Sequence, residues 1–285
     1  MAESAIAIMF PYLPTQGKFM YVTDVFFAYQ GKTPLSSPQH YAVNQVVEQW
    51  RYNGQIIGRE IPLFNAEQEK VLGIGLRVIC PEQSSLLSEN NNLLVNQALA
   101  QAEQKGLQLD SLQIVADDLN SDQSCFQATP SWQMLYTTYL HTSSPLHSGD
   151  NFLPIPLYKQ LKNQPHLSMD IIKWQENWQA CDQLQMNGAV LESQALHQLC
   201  QLDSPLAKHG YALVQQIEQL THIPTYYYLY RLGGQDLASE QQRCCPKCQQ
   251  SWRLASPLFE QFYFKCDTCR LISNLSWNYH CFNLE

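Results

Sequence analysis

From Met20 onward the apolar positions follow recognisable periods, and these place most of the elements. The run YVTDVFFAY, starting at Tyr21, is rich in β-branched and aromatic residues and predicts a strand. Ser37 and Pro38 then supply a capping side chain and a first-turn proline. Ala42, Val43, Val46, Val47 and Trp50 recur at helical spacing, and Gly54 ends this first helix. Residues 55–64 predict a second strand with Pro62 near its end, and the polar NAEQE joins it to a third over 70–80, where Leu72, Ile74, Leu76, Val78 and Cys80 alternate with a less apolar set. A second helix over 93–105, stopped by Gly106, and a fourth strand through Leu112, Ile114 and Ala116 complete the order β-α-β-β-α-β. That order predicts a ferredoxin-like domain over residues 20–117, with two helices covering one face of a four-stranded antiparallel sheet.

The same order serves RNA-recognition domains, which stack bases on aromatic side chains of the open sheet face. Phe26, Phe27 and Tyr29 would suit the first strand, but Gly73 and Gly75 stand where the third strand needs aromatics, which argues against the analogy. A polar stretch after the fourth strand, DDLNSDQSCFQATPS, reads as a linker. Residues 118–236 then predict a mixed, mostly helical region. TPSWQMLYTTYLH suggests a strand, and NFLPIPLYKQL, interrupted by prolines, an edge or loop. Ile171, Trp174, Trp178 and Cys181 mark an amphipathic helix after Ser168. A shorter helix follows over 195–200, and Ser204-Pro205 starts another, lined by Leu206, Leu213, Ile217 and Leu220, before the strand-like TYYYLYRLGG.

The segment from Cys244 to Tyr279 carries the chemistry. Cys245-Pro-Lys-Cys248 and Cys266-Asp-Thr-Cys269 are two C-x2-C pairs separated by 17 residues, the spacing of a four-cysteine zinc site. Two residues between cysteines let a tight turn aim both thiolates at one point, and two such turns complete the tetrahedron that zinc accepts. SWRL, FYF and LISNLSW alternate in strand fashion around the turns, so residues 237–285 predict a zinc ribbon around one structural ion. Redox chemistry or an iron centre are the competing uses of the same cysteines, but a redox dithiol needs only one pair, placed beside a helix. Cys244 could replace Cys245 through a C-x3-C turn, whereas a filled site leaves no position for His280 or Cys281.

At these residues the sequence resembles a family of uncharacterised bacterial proteins that carry a zinc ribbon and for which nucleic-acid binding has been suggested. The likeness runs from MYVTDVFFAY at Met20 to the end of the chain, and CPKC, the following Trp252 and KCDTCRLISNLSW are its most specific part. It implies zinc binding through Cys245, Cys248, Cys266 and Cys269. Zinc ribbons commonly have glycine after the first cysteine pair, whereas this chain has Gln249, which is expected to loosen the turn.

Charge complicates a nucleic-acid role. The chain carries a net −8, and Arg243, Lys247, Arg253, Lys265 and Arg270 are set against Glu240, Glu260, Asp267 and Glu285. Trp252, Phe262, Phe264, Trp277 and Tyr279 are either stacking platforms or packing residues. The expected function is a zinc-binding, non-enzymatic protein that recognises nucleic acid or a nucleoprotein, with Lys247, Trp252, Arg253, Lys265, Arg270 and Trp277 as ligand-contacting candidates. A protein–protein adaptor with a zinc-held docking face is the alternative, and an enzyme with a site in the N-terminal or middle region is a third.

Little else points to catalysis. Asp117 and Asp118 could pair for acid–base work but read as the start of a solvated loop, and the eight histidines form no HxxxH pattern. Neither Gly73-Ile-Gly75 nor Gly233-Gly234 is a phosphate loop. Cys80, Cys181 and Cys200 fit as small apolar fillers in a reducing compartment. No stretch approaches the roughly 20 continuous apolar residues of a membrane helix. Residues 1–19 carry Glu3 and no basic start, unlike a secretory signal, and are read as a leader without assigned role in a cytoplasmic protein.

Overall fold

A computed structural model describes residues 19–31, 34–127 and 129–277, together with the backbone of a short strand at Ala7–Met9. The leader otherwise lies outside the described residues, as do Tyr279, His280, Cys281 and Glu285. The fold is mixed α+β, with two sheets and helices, divided into two compact units: residues 1–126, 142–144 and 153–169, and the remainder.

The first unit is built on a sheet of β1 (Ala7–Met9), β2 (Met20–Tyr29), β3 (Leu63–Gln68), β4 (Val71–Cys80) and β5 (Leu107–Asp118) in the order β1-β5-β2-β4-β3. Neighbours from β5 to β3 are antiparallel, and β1 adds to β5 in parallel, a fifth strand beyond the four that the pattern predicts. Helices α1 (Ser37–Asn53) and α2 (Leu93–Gln104) bury their apolar faces with Val25, Phe27, Ile74, Leu76 and Leu107 in one core, where Phe27 and Trp50 meet at 5.9 Å. Gly54 closes α1 at φ 76°, as its position suggested.

Two expectations for this unit shift. The second strand's ladder begins at Leu63 rather than 55, after Pro62, which cannot donate to a ladder; ahead of it the buried Ile57 makes only an isolated bridge to Ile79. NAEQE, expected to be a connector, forms most of edge strand β3, and the turn to β4 is made by Glu69 and Lys70, both at positive φ. Gly73 and Gly75 are seats for aromatic rings: a Cβ on either would stand 2.5 Å from the ring of Phe26 or Phe64 respectively. Phe26 and Phe27 are fully buried, which removes both from any stacking platform.

The second unit carries a six-stranded sheet. Its strands are β6 (Gln133–Leu135), β7 (Leu146–Ser148), β8 (Thr225–Tyr228), β9 (Arg253–Leu258), β10 (Phe262–Cys266) and β11 (Leu271–Asn274), in the order β7-β6-β8-β11-β10-β9. The ribbon strands β9 to β11 are therefore continuous with the middle of the chain, since β11 lies parallel to β8. NFLPIPLYKQL contributes a one-turn helix, α3 (Leu157–Gln160), to the first unit. Between β7 and β8 also run α4 (Pro165–Asn187), α5 (Glu192–Cys200) and α6 (Pro205–Thr221), the last capped by Ser204. A short α7 (Leu237–Gln241) precedes the first cysteine pair. Among the described residues no helix is long and apolar enough to cross a membrane.

Gly210 on α6 faces the fully buried Trp174 and Tyr227, and a Cβ there would fall inside contact distance of both rings. Helix propensity alone favours Gly210→Ala by about 1 kcal/mol. Overpacking should outweigh it, giving a net loss of about 1–2 kcal/mol and a Tm lower by a few degrees in thermal denaturation; an unchanged or higher Tm would contradict the packing described.

Candidate metal centre

Each cysteine pair is a turn whose backbone aims two sulfurs the same way. In the first, the Gln249 N–H donates to the Cys245 carbonyl and the Cys245 N–H to the Gln250 carbonyl, both at 2.9 Å. The residue after the second cysteine must turn left-handed: Gln249 has φ 60° and Arg270, at the matching place in the second pair, φ 53°. Glycine takes that conformation without cost and other residues at about 1 kcal/mol, so the missing glycine leaves a formed but strained turn rather than a loose one.

The four sulfurs of Cys245, Cys248, Cys266 and Cys269 lie within 4.8 Å of one another. Sγ of Cys248 and Cys266 are 3.7 Å apart. A tetrahedron with metal–sulfur bonds of ~2.3 Å has edges of about 3.8 Å, whereas a disulfide needs about 2.05 Å, so the group fits a shared metal ion. Among the described residues it is the one such cluster of His, Cys, Asp or Glu side chains. A backbone N–H from Gln250 holds the Cys248 thiol down at about 7, while burial pushes Cys269 up to about 12 and Cys266 upward.

The turns are tied to the unit by charge and aromatic contacts. Arg270 donates from Nε and Nη2 to the Glu218 carboxylate on α6 at 2.9–3.1 Å, and Tyr211 on the same helix donates to the Cys269 carbonyl at 2.9 Å. Lys265 pairs with Asp267, donates to the Tyr226 hydroxyl at 3.0 Å and lies over the Tyr226 ring. Arg243 sits 5.0 Å from the Trp252 ring and 4.4 Å from that of Phe264, and its carbonyl accepts from the Trp252 indole at 2.8 Å. Glu240, only 4% exposed, pairs with both Arg231 and Arg243. Glu218, Glu240, Tyr211 and Tyr226 carried no spacing signal; Glu218 is 52 positions from its arginine.

Comparison with known proteins places the chain. Two proteins of Haemophilus influenzae, each designated "Uncharacterized protein", are similar to it: one is 59% identical over 260 residues, covering 91% of this chain and 100% of that protein. The chain belongs to that family. The second relative is 64% identical over 174 residues, 61% of this chain and 86% of its own length. Three domain families of unknown function also match the chain: DUF8589 over residues 20–116, DUF2310 over 127–230 and DUF8594 over 234–279. No solved structure matches.

The chain's cysteine-bearing segment combines a tetrathiol cluster with side chains that the unit itself uses. Trp252, Phe262 and Phe264, left open between stacking and packing, are all buried: Phe262 packs among Tyr136, Phe152 and Tyr228 at 5.4–5.5 Å, and Phe264 against Trp252. Trp252 is 3% exposed, with its ring 5.3 Å from that of Phe264. Lys265 and Arg270 are held in ion pairs. Lys247, Arg253 and Trp277 face solvent. Cys244 is exposed and outside the cluster. Asp118 caps the end of β5, accepting from the Asn120 N–H at 3.2 Å, and Cys80 is a buried thiol pushed up to about 12.

Replacing Glu240 by alanine leaves two arginine charges without their carboxylate, one of them largely buried; chemical denaturation should show a loss of about 3–5 kcal/mol. Metal uptake should also depend on pH in a fixed direction. Cys266 and Cys269 hold their protons at neutral pH and must release them to bind, so acid competes with the metal and affinity falls as pH falls. In Co(II) titrations followed by thiolate charge-transfer absorption, log affinity against pH should have a slope of at least about two near neutrality.

Proposed function

We propose that the cluster is a structural zinc site in a non-enzymatic, cytoplasmic interaction protein, with a zinc ribbon at its C-terminal end and a ferredoxin-like core in its first unit. The observation that carries the proposal is the four-sulfur group with a tetrahedral edge of 3.7 Å between Cys248 and Cys266. An all-sulfur donor set suits zinc or iron, and zinc imposes no electronic preference on the geometry. Four protein ligands leave no open position for substrate or water, which supports a structural role. The strand order β5-β2-β4-β3 with α1 and α2 supports the ferredoxin-like assignment, and unpaired thiols at Cys80, Cys181 and Cys200 are consistent with a reducing compartment.

A protein partner fits better than nucleic acid. Of the five basic residues in the ribbon segment, Arg243, Lys265 and Arg270 are already paired with carboxylates, and Trp252, Phe262 and Phe264 are packed inward, which leaves Trp277 as the exposed ring among the described candidates. With a net charge of −8, little remains to release counterions from a phosphate backbone.

Protein purified without added metal should contain one zinc per chain by elemental analysis and no iron absorption. Zinc contributes an apparent ~10–16 kcal/mol in such sites, so stripping it with a strong chelator should abolish the near-UV dichroism of buried Trp252, as should Cys266→Ser combined with Cys269→Ser. Metal-free protein with an unchanged near-UV spectrum would overturn the structural role. Affinity purification from the native cell with nuclease treatment should retain the partner; its loss on nuclease digestion would favour the nucleic-acid reading.

A further inference from the structure

A cleft of about 250 Å³ opens between α6 and the first cysteine turn, lined by Leu202, Lys208, Tyr211, Ala212, Gln215 and Lys247. Its floor is apolar, and two exposed lysines stand on its walls in a chain whose net charge is −8. Lys208, Tyr211 and Gln215 share one helical face by their spacing. The one carboxylate of α6, Glu218, is occupied by Arg270 and leaves the lysines' charge uncancelled from that helix.

Tyr211 fixes the geometry of the wall. Its hydroxyl donates to the Cys269 carbonyl at 2.9 Å and accepts from Lys247 Nζ at 2.8 Å, while the same Nζ lies 4.1 Å from the ring centroid. The ammonium is therefore held over the aromatic face instead of swinging in solvent. That face is taken, so a nucleobase cannot stack on it, and a bare phosphate would gain nothing from the apolar lining that Leu202 and Ala212 provide. The volume is below the ~300 Å³ at which pockets for drug-sized ligands begin, and it suits one or two side chains.

We propose that this cleft docks an acidic peptide segment, with one apolar side chain seated against Leu202 and Ala212 and flanking carboxylates paired with Lys208 and Lys247. The proposal deepens the interaction-protein reading and rests on it. It also gives the zinc turns a role in recognition, because Lys247 and the Cys269 carbonyl both belong to them.

Fluorescence anisotropy on the full-length, metal-loaded protein tests it, using a fluorescein-labelled peptide of one leucine flanked by glutamates, the same peptide with glutamines, and a labelled single-stranded oligonucleotide. The acidic peptide should bind saturably and roughly tenfold more tightly than the glutamine peptide, the scale set by two exposed charge pairs. Lys208→Glu should weaken it several-fold, and Ala212→Trp, which fills the cleft from an exposed helix position, at least as much, with metal content and Tm unchanged in both. Equal binding of the two peptides, retention of parental affinity by both variants, or tighter Lys208-dependent binding of the oligonucleotide would overturn the proposal. Metal content measured in every sample separates the two readings: peptide binding by protein that holds no zinc would sink the metal assignment and leave the cleft standing.

Discussion

Four thiol sulfurs within 4.8 Å form an arrangement that, once ionised, is tolerable only around a cation. In the sheet of the second unit the cysteine turns sit at the ends of strands rather than beside them. Cys266 closes β10, Cys269 is separated from the start of β11 by Arg270, and Cys245 and Cys248 lead into β9. Both cysteine pairs therefore lie where the ladders of β9, β10 and β11 begin or end. Around the cage the unit has placed charges in opposition, Arg270 against Glu218 and Lys265 against Asp267, so that the turn in which Arg270 has a left-handed backbone is secured from its side chain.

How much of this could be read in the amino-acid order varies with how local the cause is. The cysteine cluster was legible, because its geometry follows from two short turns. The helices were legible too: Ser204-Pro205 marks the start of α6 with its cap, and α6 ends by Thr221, short of Pro224, whereas in α1 Ser37 is the first helical residue and the N-cap is Ser36, without a side-chain capping bond. Strand boundaries were less so. Ile56 and Ile57 look like strand residues and are buried as such residues would be, but Ile57 makes a single bridge to Ile79 and the continuous ladder forms only in the polar stretch after Pro62. Both the β3–β4 turn, through Glu69 and Lys70, and the β9–β10 turn, through Phe259 and Glu260, use left-handed residues with side chains, so neither shows the Asn-Gly or Asp-Gly signature of a tight hairpin.

Non-local pairings were invisible. Nothing in the spacing of Tyr226 to Tyr228 indicates that they lie between β6 and β11, and nothing around Phe262 separates an exposed aromatic from one enclosed by Tyr136, Phe152 and Tyr228. The alternation within FYFKC gives the side of the sheet on which a ring falls. Whether that side is wet depends on residues from Tyr228 back to Tyr136, outside the ribbon segment.

The parallel pairing of β8 with β11 has a consequence for how this architecture could be divided. The family match that ends at residue 230 and the one that begins at 234 meet within a single sheet, so a cut between them would separate adjacent strands. Each piece would carry a bare edge of backbone donors and acceptors, the kind of surface that recruits other strands indiscriminately. The C-terminal segment is in this sense an inlay, and its spread among other chains by simple recombination would be opposed by the need to bring a matching edge with it.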